Sequence, residues 1–185
     1  MLNKQLIWVV FILCAIISLI VGVIKAITNE ELRDKIVKLA MLQHRKLYRH
    51  GQFGPDTFDC AGFVFYVYEK VLGINIFDEG IGKSTTTKTM TSKYGMLTYF
   101  NENETNKDLS KIKKGDILFF HRQSLTDNEP SEFNKYPGHV GIYLGDGRFI
   151  HAPRKLGHVA IHSFRKSEYW TKKLVASKDI ISSRS

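Results

Sequence analysis

Leu6–Ile24 runs for nineteen residues with no charged side chain and almost no polar one. At a helical rise of about 1.5 Å per residue it would span about 28 Å, close to the hydrocarbon thickness of a bilayer. Trp8 lies near one end, where an indole ring suits the membrane interface. The stretch reads as a transmembrane helix, with residues 1–28 as an N-terminal anchor. A cleaved secretion signal is the alternative. Against it, the apolar run exceeds the usual signal length and no A-x-A-like site follows. Cys14 sits mid-run behind Phe11-Ile12-Leu13, without the small residue a lipoprotein signal would place there.

After this segment the pattern becomes that of one folded domain, residues 29–185. Asn29 is expected to cap a helix reaching about Leu47, with a weak apolar stripe of Ile36, Leu39, Ala40 and Leu47. A loop holding Gly51, Gly54 and Pro55 follows. A second helix is expected from Cys60 to just before Gly73, with Asp59 at its N-cap. Apolar residues surround it almost completely, which predicts burial. Residues 83–94, rich in Thr and Lys, form either a third helix ended by Gly95 or a surface loop, and 101–111 reads as loop. Strands are expected at Asp116–Phe120, Gly138–Leu144, Arg148–His151, His158–Ser163 and about Lys173–Ser177. Helices followed by strands predict an α+β domain with an antiparallel sheet.

The register of one hairpin can be argued. Asp146-Gly147 between apolar alternations is a turn signal. Val140, Ile142 and Leu144 should share a sheet face. Ile150 and Ala152 join that face only if an odd number of residues separates the paired ends. A three-residue loop, Gly145–Gly147, satisfies this. The opposite face then carries His139, Tyr143, Phe149 and His151, with Gly141 across from His151.

Charge changes the picture little. From Glu30 onward, 25 Lys and Arg against 18 Asp and Glu leave a net +7, which favours anionic partners such as wall polymers or lipid headgroups. The basic residues are scattered, and no zinc-finger, helix-turn-helix or RNP pattern is present, so nucleic acid is not the expected partner. Lys25, Arg33, Lys35 and Lys38 follow the apolar span, and the positive-inside rule alone would keep the domain inside. An outside placement rests instead on the chemistry below.

Cys14 lies in the apolar span, so Cys60 is a lone thiol in the domain. In the first turn of a helix it would feel the positive end of the dipole, which favours the thiolate. Ala61 and Gly62 would leave room for a substrate backbone. Alone, such a cysteine is as well explained as a buried inert one. Two imidazoles on one face, His139 and His151, add a base and a residue to orient it. His158 and His162, four apart, would suit a metal on a helix, but the segment between them reads as strand; no metal or cofactor is expected.

Asp59-Cys60-Ala61-Gly62-Phe63-Val64, Lys114-Gly115-Asp116-Ile117-Leu118-Phe119-Phe120, His139-Val140-Gly141-Ile142-Tyr143-Leu144-Gly145 and Ile150-His151-Ala152 together resemble the successive motifs of the NlpC/P60 family. The resemblance covers about residues 35–180. It implies a papain-like α+β fold, with N-terminal helices packed on an antiparallel sheet and one transmembrane helix in front. It implies Cys60 as nucleophile, His139 as general base and His151 as the orienting third residue. Tyr48, with Gly51 after it, sits where the family keeps a tyrosine, expected with Asp59 at the oxyanion and substrate side. The implied activity is hydrolysis of an amide in peptidoglycan stem peptides, usually γ-D-glutamyl to diamino acid, by an enzyme held at the outer face of a membrane. Acyl transfer on the same triad, and a non-catalytic wall-binding scaffold in a larger envelope assembly, are the alternatives. Ala61, His50, Gln52 and Lys114 depart from the usual motif residues, and the stretch His121–Pro137 is longer than expected and could line the cleft.

Overall fold

The computed structural model describes residues 4–76, 94–101, 107–121 and 137–182, with side chains from residue 7 onward. The expected element at 83–94, except Tyr94, the middle of the 101–111 loop and the interior of the 121–137 stretch lie outside the described residues.

The expected anchor and first domain helix are one element. Helix α1 (Lys4–Leu42) runs unbroken for 39 residues. Asn29 is not a cap: no Gly or Pro follows Gly22 before Leu42, so nothing interrupts the backbone ladder there. The helix runs through residue 28 without interruption. Along the first part the side chains are exposed, Leu19 to 70%, whereas Ile36 and Ala40 are fully buried. The helix stops earlier than expected, at Leu42. Arg45 then takes a positive φ of 70°, and Leu47, 64% exposed, leaves the apolar stripe. It enters β1 (Leu47–Tyr48), which pairs in parallel with β2 (Thr57–Phe58).

Helix α2 (Cys60–Leu72) has the expected bounds. Asp59 Oδ1 accepts from the Gly62 N–H at 2.7 Å, satisfying a free helix-start donor. Gly73, at φ 64°, closes the other end. Phe63, Val64, Val67 and Tyr68 are fully buried.

The remaining strands are β3 (Met96–Tyr99), β4 (Ile117–His121), β5 (Pro137–Gly145), β6 (Arg148–His151), β7 (Ala160–Ser163) and β8 (Leu174–Asp179), with a short α3 (Glu168–Lys173) before β8. They form one sheet in the order β3-β8-β4-β5-β6-β7, antiparallel throughout. The five expected strands are all present with small shifts at their ends. The edge strand β3 was not expected. Met96 and Tyr99 are exposed, so the strand relies on backbone pairing to β8 and carries little apolar alternation.

The sheet has a layer on each face. Val140, Ile142, Leu144, Ile150 and Ala152 face α1 and α2 in the larger core. Leu118, Phe120, Tyr143, Phe149, Phe164 and Leu174 form a second core, against which Trp170 of α3 packs. The apolar register of β5 and β6 is thus as argued from the sequence, but the turn is different. Asp146-Gly147 is a two-residue turn with positive φ at both positions, and Gly145 pairs with Arg148. A bulge between Tyr143 and Gly145 supplies the extra residue that keeps Ile142 opposite Ile150.

A buried ionic node ties α1 to the sheet. The Arg33 guanidinium donates to Asp116 at 2.9 Å and to Asp179 at 2.7 Å, and also to the Lys114 carbonyl and the Ser182 hydroxyl. Asp116, from the Gly115-Asp116 motif, also accepts the Lys113 N–H at 2.9 Å. Burial pushes its carboxyl up to about 6, against the pull of that amide and of Arg33. Tyr68 of α2 donates to the Gly115 carbonyl beside the node. Lys114 reaches Glu30 and Asp34 on α1 at 2.7 and 2.6 Å, an exposed contact of small energetic weight. Removing the guanidinium would leave the buried Asp116 carboxylate without its counter-charge, while Asp179 keeps Lys113 Nζ at 3.1 Å. Arg33→Ala is therefore expected to lower stability by about 3–5 kcal/mol, read as a lower urea midpoint by circular dichroism in detergent.

Candidate active site

Three strands and two helices converge on the site. The α2 N-cap places Cys60 in the first turn, half-buried against the larger core. The backbone amides of Ala61, Val140 and Cys60 itself pull its thiol toward the ionised form. Val140 follows His139 on β5, so the thiol lies against the strand that carries the first histidine. Asp59 uses both carboxylate oxygens: Oδ2 accepts the Gly51 N–H at 2.9 Å while Oδ1 caps the helix. Asp59 thus fixes the loop after Tyr48 relative to the helix start.

Gly62 has a different use from the one expected. A Cβ there would come within 2.1 Å of the Gln52 carbonyl oxygen, so the missing side chain admits the protein's own loop, not substrate. That same carbonyl accepts the Asp59 N–H at 2.9 Å. Tyr48 is half-buried, and burial, followed by the proximity of Cys60 and Asp59, holds its hydroxyl above the ordinary value.

The histidines form a row on one sheet face. Gly141 pairs with His151 as the register required. His139 Nε2 lies 2.6 Å from His151 Nδ1. His151 Nε2 lies 2.8 Å from His162 Nδ1 on β7. His151 is fully buried, whereas His139 and His162 are half-buried. Trp170 packs on all three rings, with centroids 5.9, 4.8 and 5.4 Å from those of His139, His151 and His162. Phe149 sits beneath His151 and His162 at 5.0 and 6.1 Å.

The electrostatics oppose one expectation. Burial, with the Asp59 charge adding to it, pushes the Cys60 thiol up to about 11 despite the helix start and the three amides. Burial also pulls His139 down to about 4 and His151 well below the ordinary range. The resting pair is a neutral thiol and a neutral imidazole. A dipole at the helix end is a fixed, modest stabilisation, and desolvation of a buried sulfur outweighs it.

His162 and Trp170 were not singled out for this site from the sequence. The signal for His162 lay in the second hairpin, where Phe149 pairs with His162 and His151 with Ala160, putting His151 and His162 on one face. No spacing pointed to Trp170. His158 Nδ1 meets the Leu156 carbonyl at 2.8 Å, and His162 joins the histidine row.

The profile of the NlpC/P60 family matches residues 45–179. The chain belongs to the NlpC/P60 family. The curated protein named murein DD-endopeptidase MepH from Escherichia coli K12 is 29% identical over 153 residues, covering 80% of this chain and 47% of MepH. The gamma-DL-glutamyl hydrolase of Bacillus subtilis 168 is 33% identical over 131 residues, covering 70% of this chain and 24% of that protein. This NlpC/P60 chain therefore spans about half or less of the length of these relatives. Among solved structures, the NlpC/p60 domain of the peptidoglycan hydrolase SagA superposes with a TM-score of 0.56 at 25% identity, covering 80% of this chain and 97% of that domain.

Within this NlpC/P60 fold the position most intolerant of a side chain on the histidine face is Gly141. An added Cβ would lie 2.9 Å from the Ile150 carbonyl oxygen and 3.1 Å from the His151 Cβ. Gly141→Ala is expected to force β5 and β6 apart, cost about 1–3 kcal/mol, and lengthen the His139–His151 contact. Thermal unfolding and a crystal structure of the variant check both.

Proposed function

We propose that this chain hydrolyses amide bonds in the stem peptides of peptidoglycan, with Cys60 as nucleophile, His139 as general base and His151 as the residue that orients it. The observation that carries this reading is the commitment of His139 Nε2 to a fully buried His151. That leaves Nδ1 as the ring nitrogen for the Cys60 thiol, whose helix packs on the core that Val140 of β5 enters. The names of MepH and SagA as a murein endopeptidase and a peptidoglycan hydrolase support the substrate class. The name of the Bacillus subtilis relative supports a γ-glutamyl bond.

Both groups rest neutral, so the thiol proton passes to His139 as the sulfur attacks the carbonyl, not beforehand. The Cys60 N–H and the Tyr48 hydroxyl are the donors offered to the developing oxyanion. The amine leaves with the proton from His139, and water, deprotonated by the same ring, releases the acyl group from sulfur. Asp59 acts on this chemistry by holding the Tyr48–Gly51 loop and the helix start together. The exposed apolar part of α1 crosses a membrane and holds the domain on the outer side, where its substrate lies.

Full-length protein in detergent, incubated with purified peptidoglycan, should release muropeptides whose masses identify the cleaved amide. Cys60→Ala should release none; products unchanged in that variant would sink the reading. Burial holds the histidines below the ordinary 6.5. A falling pH protonates the base and removes activity, so kcat/KM should stay level from pH 8 to about 6.5 and decline only below it. For the anchor, carbonate washing should leave the protein in the membrane fraction, and protease added to intact protoplasts should digest the domain.

A further inference from the structure

We propose that His162 is a positioning residue that locks His151, and through it His139, in the base-competent tautomer, and that it receives the positive charge created when Cys60 is deprotonated. This inference rests on the catalytic reading of Cys60 and His139 given above.

Three neutral imidazoles joined head to tail have two self-consistent proton arrangements, because each ring carries one N–H and each hydrogen bond needs one donor and one acceptor. In the first, every Nε2 is protonated. His139 Nε2–H donates to His151 Nδ1, and His151 Nε2–H donates to His162 Nδ1. His139 Nδ1 then holds a free lone pair and can accept the thiol proton. In the second, every Nδ1 is protonated, and His139 presents an N–H where the base must be.

His162 biases the choice. His151 is fully buried, so its Nε2–H needs an acceptor, and His162 Nδ1 at 2.8 Å supplies it. Without that acceptor the first arrangement leaves a buried donor unsatisfied. The row then turns toward the second, and the base is lost.

The same row moves charge. As the S–H bond of Cys60 breaks, an N–H bond forms at His139 Nδ1. The proton on His139 Nε2 passes to His151 Nδ1, and that on His151 Nε2 passes to His162 Nδ1. The imidazolium is then His162, half-buried and lining an open groove, and not the fully buried His151 that separates it from His139. When the amine leaves with the His139 Nδ1 proton, the shifts reverse and the row is neutral again. On the protein side His162 faces His151 of β6 and Trp170 of α3. On the solvent side Asp146, Arg148, Arg165 and Lys166 line the same groove, and burial alone lowers its ring below the ordinary value.

The test uses full-length His162→Phe and His162→Asn with wild type and Cys60→Ala. Phenylalanine keeps a ring against Phe149 and Trp170 but accepts nothing; asparagine accepts but carries no charge. His162→Phe should lower kcat on the order of 10- to 100-fold, with KM changed less than about twofold. Asparagine should restore a large part of kcat. The acid limb of kcat/KM in His162→Asn should move below that of wild type, because the ring at the solvent end no longer titrates. Nitrogen-15 spectra, which need no substrate, should show His139 Nδ1 unprotonated in wild type and protonated in His162→Phe. Unchanged kcat, acid limb and His139 tautomer in both variants, with Cys60→Ala inactive, would overturn the relay alone. Activity surviving in Cys60→Ala would overturn the catalytic reading beneath it.

Discussion

Side chains alternate along a strand, and on β5 both faces are covered. One face meets α1 and α2, the other α3 and a set of aromatic rings. A polar group fully buried in this way, as His151 is, must find its partners within the protein, since water does not reach it. His139 and His151 meet that requirement with each other, and His151 meets the rest of it with His162. The chemistry of the row follows from the same enclosure. Desolvation favours the neutral imidazoles, the form the proposed general base requires.

The Arg33 node answers a second constraint, how a helix that begins outside the domain is fixed to it. Charges are costly to bury, and this guanidinium offsets the cost by engaging two carboxylates from β8 and the start of β4, together with a carbonyl and a hydroxyl. Burial of Ile36 and Ala40 would hold α1 against the sheet with little preference for its position along the axis. The node sets that position, because a fork of fixed shape meets two partners of opposite charge.

Much of this arrangement was legible in the residues. Asp59 and Gly73 are position-specific caps, and they bounded α2 correctly. The alternation of Val140, Ile142 and Leu144 against Ile150 and Ala152 settled the faces of the hairpin, because a one-residue slip would have exposed the whole set. The loop geometry was less legible, since a three-residue loop and a two-residue turn with a bulge give the same parity. The continuity of α1 through Asn29 was hidden because asparagine signals a helix start only where the preceding backbone is not already helical. The thiol's ionisation depends on enclosure by elements distant in sequence, and a helix-start argument contains none of that. Arg33 looked like one basic residue among several after an apolar span, and only the arrival of Asp116 and Asp179 from elsewhere makes it central.

The unbroken α1 also determines reach. Val71 and Leu72, at the end of α2, border the same cleft as Val21 to Leu32 of α1, so α2 runs back along α1 and Cys60 lies at its far end. Twelve residues of helix place the thiol about 18 Å beyond Leu72. An enzyme tied to a bilayer by a flexible linker samples a volume and works at many heights. On the reading proposed above, an unbroken α1 as anchor would act as a post, not a tether. Cys60 would then be confined to a thin shell above the lipid surface, and strands of wall outside that shell would be beyond it unless they or the membrane moved.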